Sequence, residues 1–134
     1  MKLTYQPFEL LLKHTFTIAK FSRTSTPVML IKIEHEGQAG YGEASMVPYM
    51  GESFETAEAF LSKVDASQFK YPFDFESIIA RLDDIAPGNP AIKAGIDIAL
   101  HDLDGKLQNK PCWQLLGSDP ANMPPTSFTI GIDT

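Results

Sequence analysis

Cysteine is nearly missing from this 134-residue chain: Cys112 stands alone. No internal disulfide can form, and a tetrahedral zinc site would have to draw on other residue types. Its place between Pro111 and Trp113 suits packing better than a reactive thiol. Positive charge is scarce too. Eleven lysines and arginines stand against 17 aspartates and glutamates, a net charge of −6. A nucleic-acid binder needs a basic footprint to displace counterions, and an anionic membrane surface asks for the same. Neither partner is expected. Long apolar runs are also lacking. Leu10–Leu12 ends at Lys13 and His14, too short for a secretory signal, and Val28–Ile31 is far below spanning length. The expected setting is the reducing cytoplasm. Internal repeats and low-complexity tracts are absent.

What is present suits one globular domain: 43% hydrophobic and 21% charged residues. The first 45 positions read as β. Lys2 to Leu12 is extended, and Pro7 within it calls for a sheet edge or a bulge. His14 to Ala19 sets Phe16 and Ile18 against Thr15 and Thr17 with period two. Lys20 to Thr26, KFSRTST, is polar and hydroxyl-rich and reads as an exposed loop. Pro27 to Glu36 is the next strand, Gly37-Gln38 a hairpin turn, and Ala39 to Ala44 the returning strand. The expectation is an antiparallel meander of three or four strands over residues 1–45.

Helices follow over 53–117. Ser53 is placed to N-cap a helix whose apolar face is Ala57, Phe60, Leu61 and Val64. Asp74 to Ile85 shows a stripe of Phe75, Ile78, Ile79 and Leu82, ended by the breaker Ala86 to Pro90. The strongest pattern is the third: Ile92, Ile96, Ala99, Leu100, Leu103 and Leu107, with Asn89 as N-cap before Pro90. Trp113 to Leu116 is one helical turn closed by Gly117. Ser118 to Ser127 is a proline-rich linker. FTIGIDT, Phe128 to Thr134, alternates like the opening strand of another unit. The fold class is α+β, a meander followed by a helical bundle. The stray last strand suggests the front portion of a longer protein.

Candidate chemistry is sparse. Gly40-Tyr41-Gly42 has the G-x-G of a phosphate loop without its third glycine, and the helix starts too late to aim amides at an anion. The two glycines read better as a close backbone approach or a bulge. Glu43 and Glu52 form an acid–base pair on one reading. On the other, Glu43 bonds at a strand end and Glu52 favours the helix start beside it. Asp97 and His101 are one helical turn apart, with Asp104 near, but no third metal ligand is evident. His14 and His35 are isolated. Arg23 and Lys20 are surface cations, of which an arginine can fork onto a carboxylate.

One stretch carries more. AIKAGIDIALHDLDGKLQNKPCWQLLG, Ala91 to Gly117, resembles the signature of the mandelate racemase/muconate lactonizing enzyme group of the enolase superfamily. The matching parts are Ala94–Asp97, Ala99-Leu100, Asp102-Leu103, Gly105-Lys106, Pro111 and Leu115–Gly117. His101 and Cys112 depart from what is common there. The order of meander, GYGEA strand end, tyrosine-bearing loop, helices and TIGID-like strand agrees with the group along essentially the whole chain.

That resemblance implies an enolase-type N-terminal capping domain over residues 1–117, a linker at 118–127, and the first strand of a (β/α) TIM barrel at 128–134. The barrel would hold magnesium on three carboxylates. Two facing lysines there would move a proton α to a carboxylate, with the metal stabilising the enediolate. None of those catalytic or metal-binding residues falls in this chain. Two capping loops, Lys20 to Thr26 and Ser45 to Gly51, would close over the substrate. FTIAKFSRT and GEASMVPYMGES are most similar to dipeptide epimerases acting on Ala-Glu. That resemblance assigns the substrate's distal carboxylate to Arg23 first and Lys20 second, with Tyr49 and Met50 as apolar walls. Muconate cycloisomerases and o-succinylbenzoate synthases share the same cap, and a stand-alone interaction module is the reading from another class. The expected partners are an acidic dipeptide, the protein's own barrel and further copies in a homo-oligomer.

Overall fold

The computed structural model describes residues 1–19, 21–46 and 50–127. Its fold is α+β. Three strands, β1 (Lys2–Ile18), β2 (Phe21–His35) and β3 (Gln38–Ser45), form one antiparallel sheet in the order β1-β2-β3. Four α-helices follow among the described residues: α1 (Phe54–Leu61), α2 (Phe75–Ile85), α3 (Pro90–Gln108) and the single turn α4 (Cys112–Leu115). The expected strand at 128–134 lies outside the described residues.

Two expectations about the meander change. His14 to Ala19 is not a strand of its own; through Ile18 it is the far end of β1. A register shift separates the Leu11↔Ser25 pair from Phe16↔Arg23, five steps along β1 against two along β2. Such a surplus bends a strand locally and resets which side chains share a face. Residues 21–26 of the expected exposed loop are not a loop either. They belong to β2, with Arg23 and Ser25 half-buried and Thr26 buried. Threonine-rich sequence fits a pleated ladder, and Thr17 Oγ1 and Ser22 Oγ meet across the strands at 2.8 Å. Pro7 sits on β1, the sheet edge, where a missing donor is tolerated.

The second turn lies at Glu36 and Gly37, one residue earlier than expected. His35 pairs with Gln38, and both turn residues have positive φ, 49° and 79°. This is the backbone a two-residue hairpin requires, and glycine takes its second place without strain.

The core lies between one sheet face and α3. Met29, Ile31 and Ile33 of β2 and Ala44 of β3 are buried with Ile92, Ile96, Ala99, Leu100 and Leu103. Phe60 and Leu61 of α1 and Ile78 and Leu82 of α2 extend it. Helix and sheet approach so closely that β3 has no room for side chains at two points. A Cβ on Gly40 would overlap the Ala99 carbonyl oxygen, and one on Gly42 the Gly95 carbonyl oxygen. The glycines serve backbone packing, not phosphate.

Candidate functional site

Two segments leave the same end of the sheet. β3 stops at Ser45, opposite Val28, so Phe21 to Pro27 runs on past it as a two-stranded ribbon with β1. Met46, the residue after β3, lies beside that ribbon: it is buried, and its amide donates to the Pro27 carbonyl at 2.9 Å.

Arg23 is on the ribbon, directly opposite Phe16. Its guanidinium carbon stands 5.4 Å from the centre of the Phe16 ring and 5.9 Å from that of Phe21. Among the described residues no carboxylate forms an ion pair with it. A guanidinium offers a carboxylate two parallel hydrogen bonds. Met50 is 51% exposed. Lys20 and Tyr49 lie outside the described residues.

The other candidates resolve into structural roles. Glu52 is buried, and its carboxylate accepts from the Ala91 amide at 2.8 Å and the Ile92 amide at 3.3 Å. It therefore caps α3, not the adjacent α1. Asn89 holds the N-cap position with φ 55° but makes no capping bond, so the distant glutamate supplies one. Glu43 is exposed on β3, and the proposed pair dissolves into two unlike settings. His101 stacks on Phe75 with ring centres 4.0 Å apart and lies 3.7 Å from Asp97. His14 is exposed; His35 packs against Tyr71 and lies 3.7 Å from Glu36. Cys112 is exposed instead of packed, its Sγ 3.8 Å from the His101 carbonyl.

The signature residues of α3 acquire physical roles. Asp102 accepts from the Tyr41 amide at 2.8 Å and from Lys106 at 2.6 Å, and Lys106 also donates to the Ala39 carbonyl at 2.8 Å. Together they occupy backbone groups on the outer side of β3, an edge strand that would otherwise invite pairing. Gly105 lets Lys110 fold back close enough to bond its carbonyl at 2.8 Å. Magnesium asks for several oxygen ligands in near-octahedral array. Among the described residues no group of three or more His, Cys, Asp or Glu side chains could hold a metal ion.

Residues 6–117 match the family model described as "Mandelate racemase / muconate lactonizing enzyme, N-terminal domain". The chain belongs to this family. It is 51% identical to the L-Ala-D/L-Glu epimerase of Bacteroides thetaiotaomicron, over 100% of this chain and 35% of that protein. The dipeptide epimerase of Enterococcus faecalis, solved with Mg and L-Leu-L-Tyr, superposes with a TM-score of 0.80 at 37% identity, covering 98% of this chain and 38% of the other. That of Cytophaga hutchinsonii, solved with Mg and D-Ala-L-Val, gives 0.82 at 29% identity, with 98% and 36% covered. The chain thus spans about a third of the length of the curated relatives it matches.

Sequence reasoning missed three features of this region. Reading Lys20 to Thr26 as a loop hid the pairing of Phe16 with Arg23, because Ala19-Lys20 lacks the glycine or asparagine that flags a tight hairpin. The available signal was the symmetric alternation of Phe16-x-Ile18 and Phe21-x-Arg23 about that dipeptide. Glu52 over α3 and Asp102–Lys106 over β3 had no local signal.

Proposed function

We propose that this chain is the capping and specificity domain of a magnesium-dependent dipeptide epimerase that inverts a carbon α to a carboxylate by 1,1-proton transfer. Its substrate is an Ala-Glu-like dipeptide, and its setting is the cytoplasm. The observation that carries this reading is the 51% identity along the whole chain to an L-Ala-D/L-Glu epimerase. Arg23 supports the acidic substrate: its charge has no acidic partner among the described residues, and a guanidinium forks onto a carboxylate.

In this reading residues 1–117 are the cap, 118–127 the linker, and 128–134 the first barrel strand. Arg23 takes the distal carboxylate, Lys20 adds a second cation, and Tyr49 and Met50 wall the apolar part. Closing the two capping segments excludes water from the carbanion-like intermediate. In this reading the metal and the acid–base groups belong to the barrel, and no proton-transfer step falls to the cap's own residues.

The test is to incubate the full-length protein with L-Ala-D-Glu in deuterated water. Exchange at the α-carbon of the glutamyl residue and appearance of the L-Glu epimer are expected. Absence of exchange across a dipeptide library, or turnover of muconate in its place, would sink the reading.

A further inference from the structure

The β1–β2 ribbon sorts its side chains by chemistry. Phe16 pairs with Arg23 and Ile18 with Phe21, while Thr17 pairs with Ser22 between them. Alternation therefore puts Phe16, Ile18, Phe21 and Arg23 on one side of the ribbon. Thr17 and Ser22 bond each other on the opposite side. The guanidinium of Arg23 lies against both phenyl rings, and its Nε is buried with no hydrogen-bond partner among the described residues.

We propose that Phe16 and Phe21 are positioning residues that hold Arg23 with its Nε closed off, so that only the two terminal nitrogens face the substrate, end-on. The inference rests on the reading of Arg23 as the group that meets the distal carboxylate. Ring faces attract a guanidinium without neutralising it, which an acidic neighbour would do. They also remove rotamer freedom before the ligand arrives, so less is lost on binding. With Nε sealed, the fork has one approach left, and a carboxylate fits it with two parallel bonds. An uncharged amide offers a single acceptor oxygen and fits it poorly.

Steady-state kinetics of the full-length protein on L-Ala-L-Glu and the near-isosteric L-Ala-L-Gln test this. Phe16→Leu and Phe21→Leu, made separately, keep apolar bulk and remove the ring face. Each should raise KM for the glutamyl dipeptide about three- to tenfold, the range a cation–π contact accounts for. KM for the glutaminyl dipeptide and kcat for both should hold, and Phe→Tyr at either position should restore KM. Unchanged KM for L-Ala-L-Glu overturns the proposal, as do equal rises for both dipeptides, which would make the rings substrate walls or scaffold. Arg23→Ala separates the two ideas. If it abolishes the Glu-over-Gln preference while both leucine variants keep it, Arg23 stands and the positioning role falls. If Arg23→Ala leaves the preference intact, both fall. Turnover of L-Ala-L-Gln reports in every variant that the protein is folded.

Discussion

Glu52 reaches from the residue before α1's N-cap to the first amides of α3, and water cannot replace it there because the side chain is buried. Removing it would strand buried donors at the positive end of a 19-residue helix. Glu52→Ala should cost about 1–3 kcal/mol, the range for orphaned buried polar groups. Glu43→Ala, at an exposed position, should stay within about 0.5 kcal/mol. Urea denaturation of the two variants decides it; equal midpoints would refute the capping role. Gly42 is constrained more tightly still. An added methyl meets backbone, which has no rotamer to escape into, so Gly42→Ala should lose about 3 kcal/mol or more. Gly37→Ala, where a Cβ meets nothing within 4 Å, should lose only the strain of its positive φ. Thermal melts that rank the two the other way would contradict the close packing of β3 on α3.

At the scale of elements, α2 borrows one end from a neighbour. Its N-terminus is its own: Asp74 accepts from the Ser77 hydroxyl at 2.7 Å and the Ser77 amide at 3.1 Å. Its last turn contains no basic residue, so Lys93 of α3 donates to the Ala86 carbonyl at 2.9 Å and pairs with Asp83 at 2.7 Å. The Ser77 hydroxyl, then its amide, hold the Asp74 carboxyl below its ordinary value of 3.8. Asp65 is held low in the same way, chiefly by the side chain of Ser67 and then that of Gln68. A depressed native pKa stabilises the fold above the unfolded value and is lost as pH falls through the native one. Asp74→Asn keeps a capping oxygen but cannot titrate. Its melting temperature should lie below the parent's near neutrality, and the gap should close between about pH 5 and pH 2 as the parent loses the increment. Parallel decline of the two would exclude Asp74 from the acid transition.

For the whole molecule, the question is what covers its apolar exterior. Ile98, Trp113, Leu116 and Met123 are 44–67% exposed. Exposed apolar residues are common one at a time, and several together favour association. If the proposed barrel normally covers part of this surface, residues 1–127 alone should self-associate in sedimentation velocity and the full-length protein should not behave as that piece does. A monodisperse, soluble monomer of the piece would count against a missing cover. In the proposed reading substrate preference also belongs to this scale, because it would join the cap to the proposed barrel. Arg23→Ala in the full-length protein should raise KM for acidic dipeptides about tenfold or more with kcat little changed, as loss of a charge-assisted fork predicts. Unchanged kinetics would exonerate Arg23. Among the described residues no helix is long and apolar enough to cross a membrane.

The sequence by itself determined the features that rest on near neighbours. The stripe of α3 and the cap at Ser53 were legible because a helix repeats every few residues and is capped within one turn. Gly40 and Gly42 read from the sequence as a close backbone approach or a bulge, and the packing of α3 on β3 decided for the close approach. Long signature matching carried the family. Tertiary structure decided what depends on contacts distant along the chain. Glu52 and Ala91 are 39 positions apart, and Tyr41 and Asp102 61, so no local pattern could pair them. The ribbon around Arg23 is the nearest case. Its seven-residue span is short, but polar threonines and serines score as loop until cross-strand bonding gives their hydroxyls partners. That pairing, not the composition of Lys20 to Thr26, made residues 21–26 part of a strand and set two phenyl rings against Arg23.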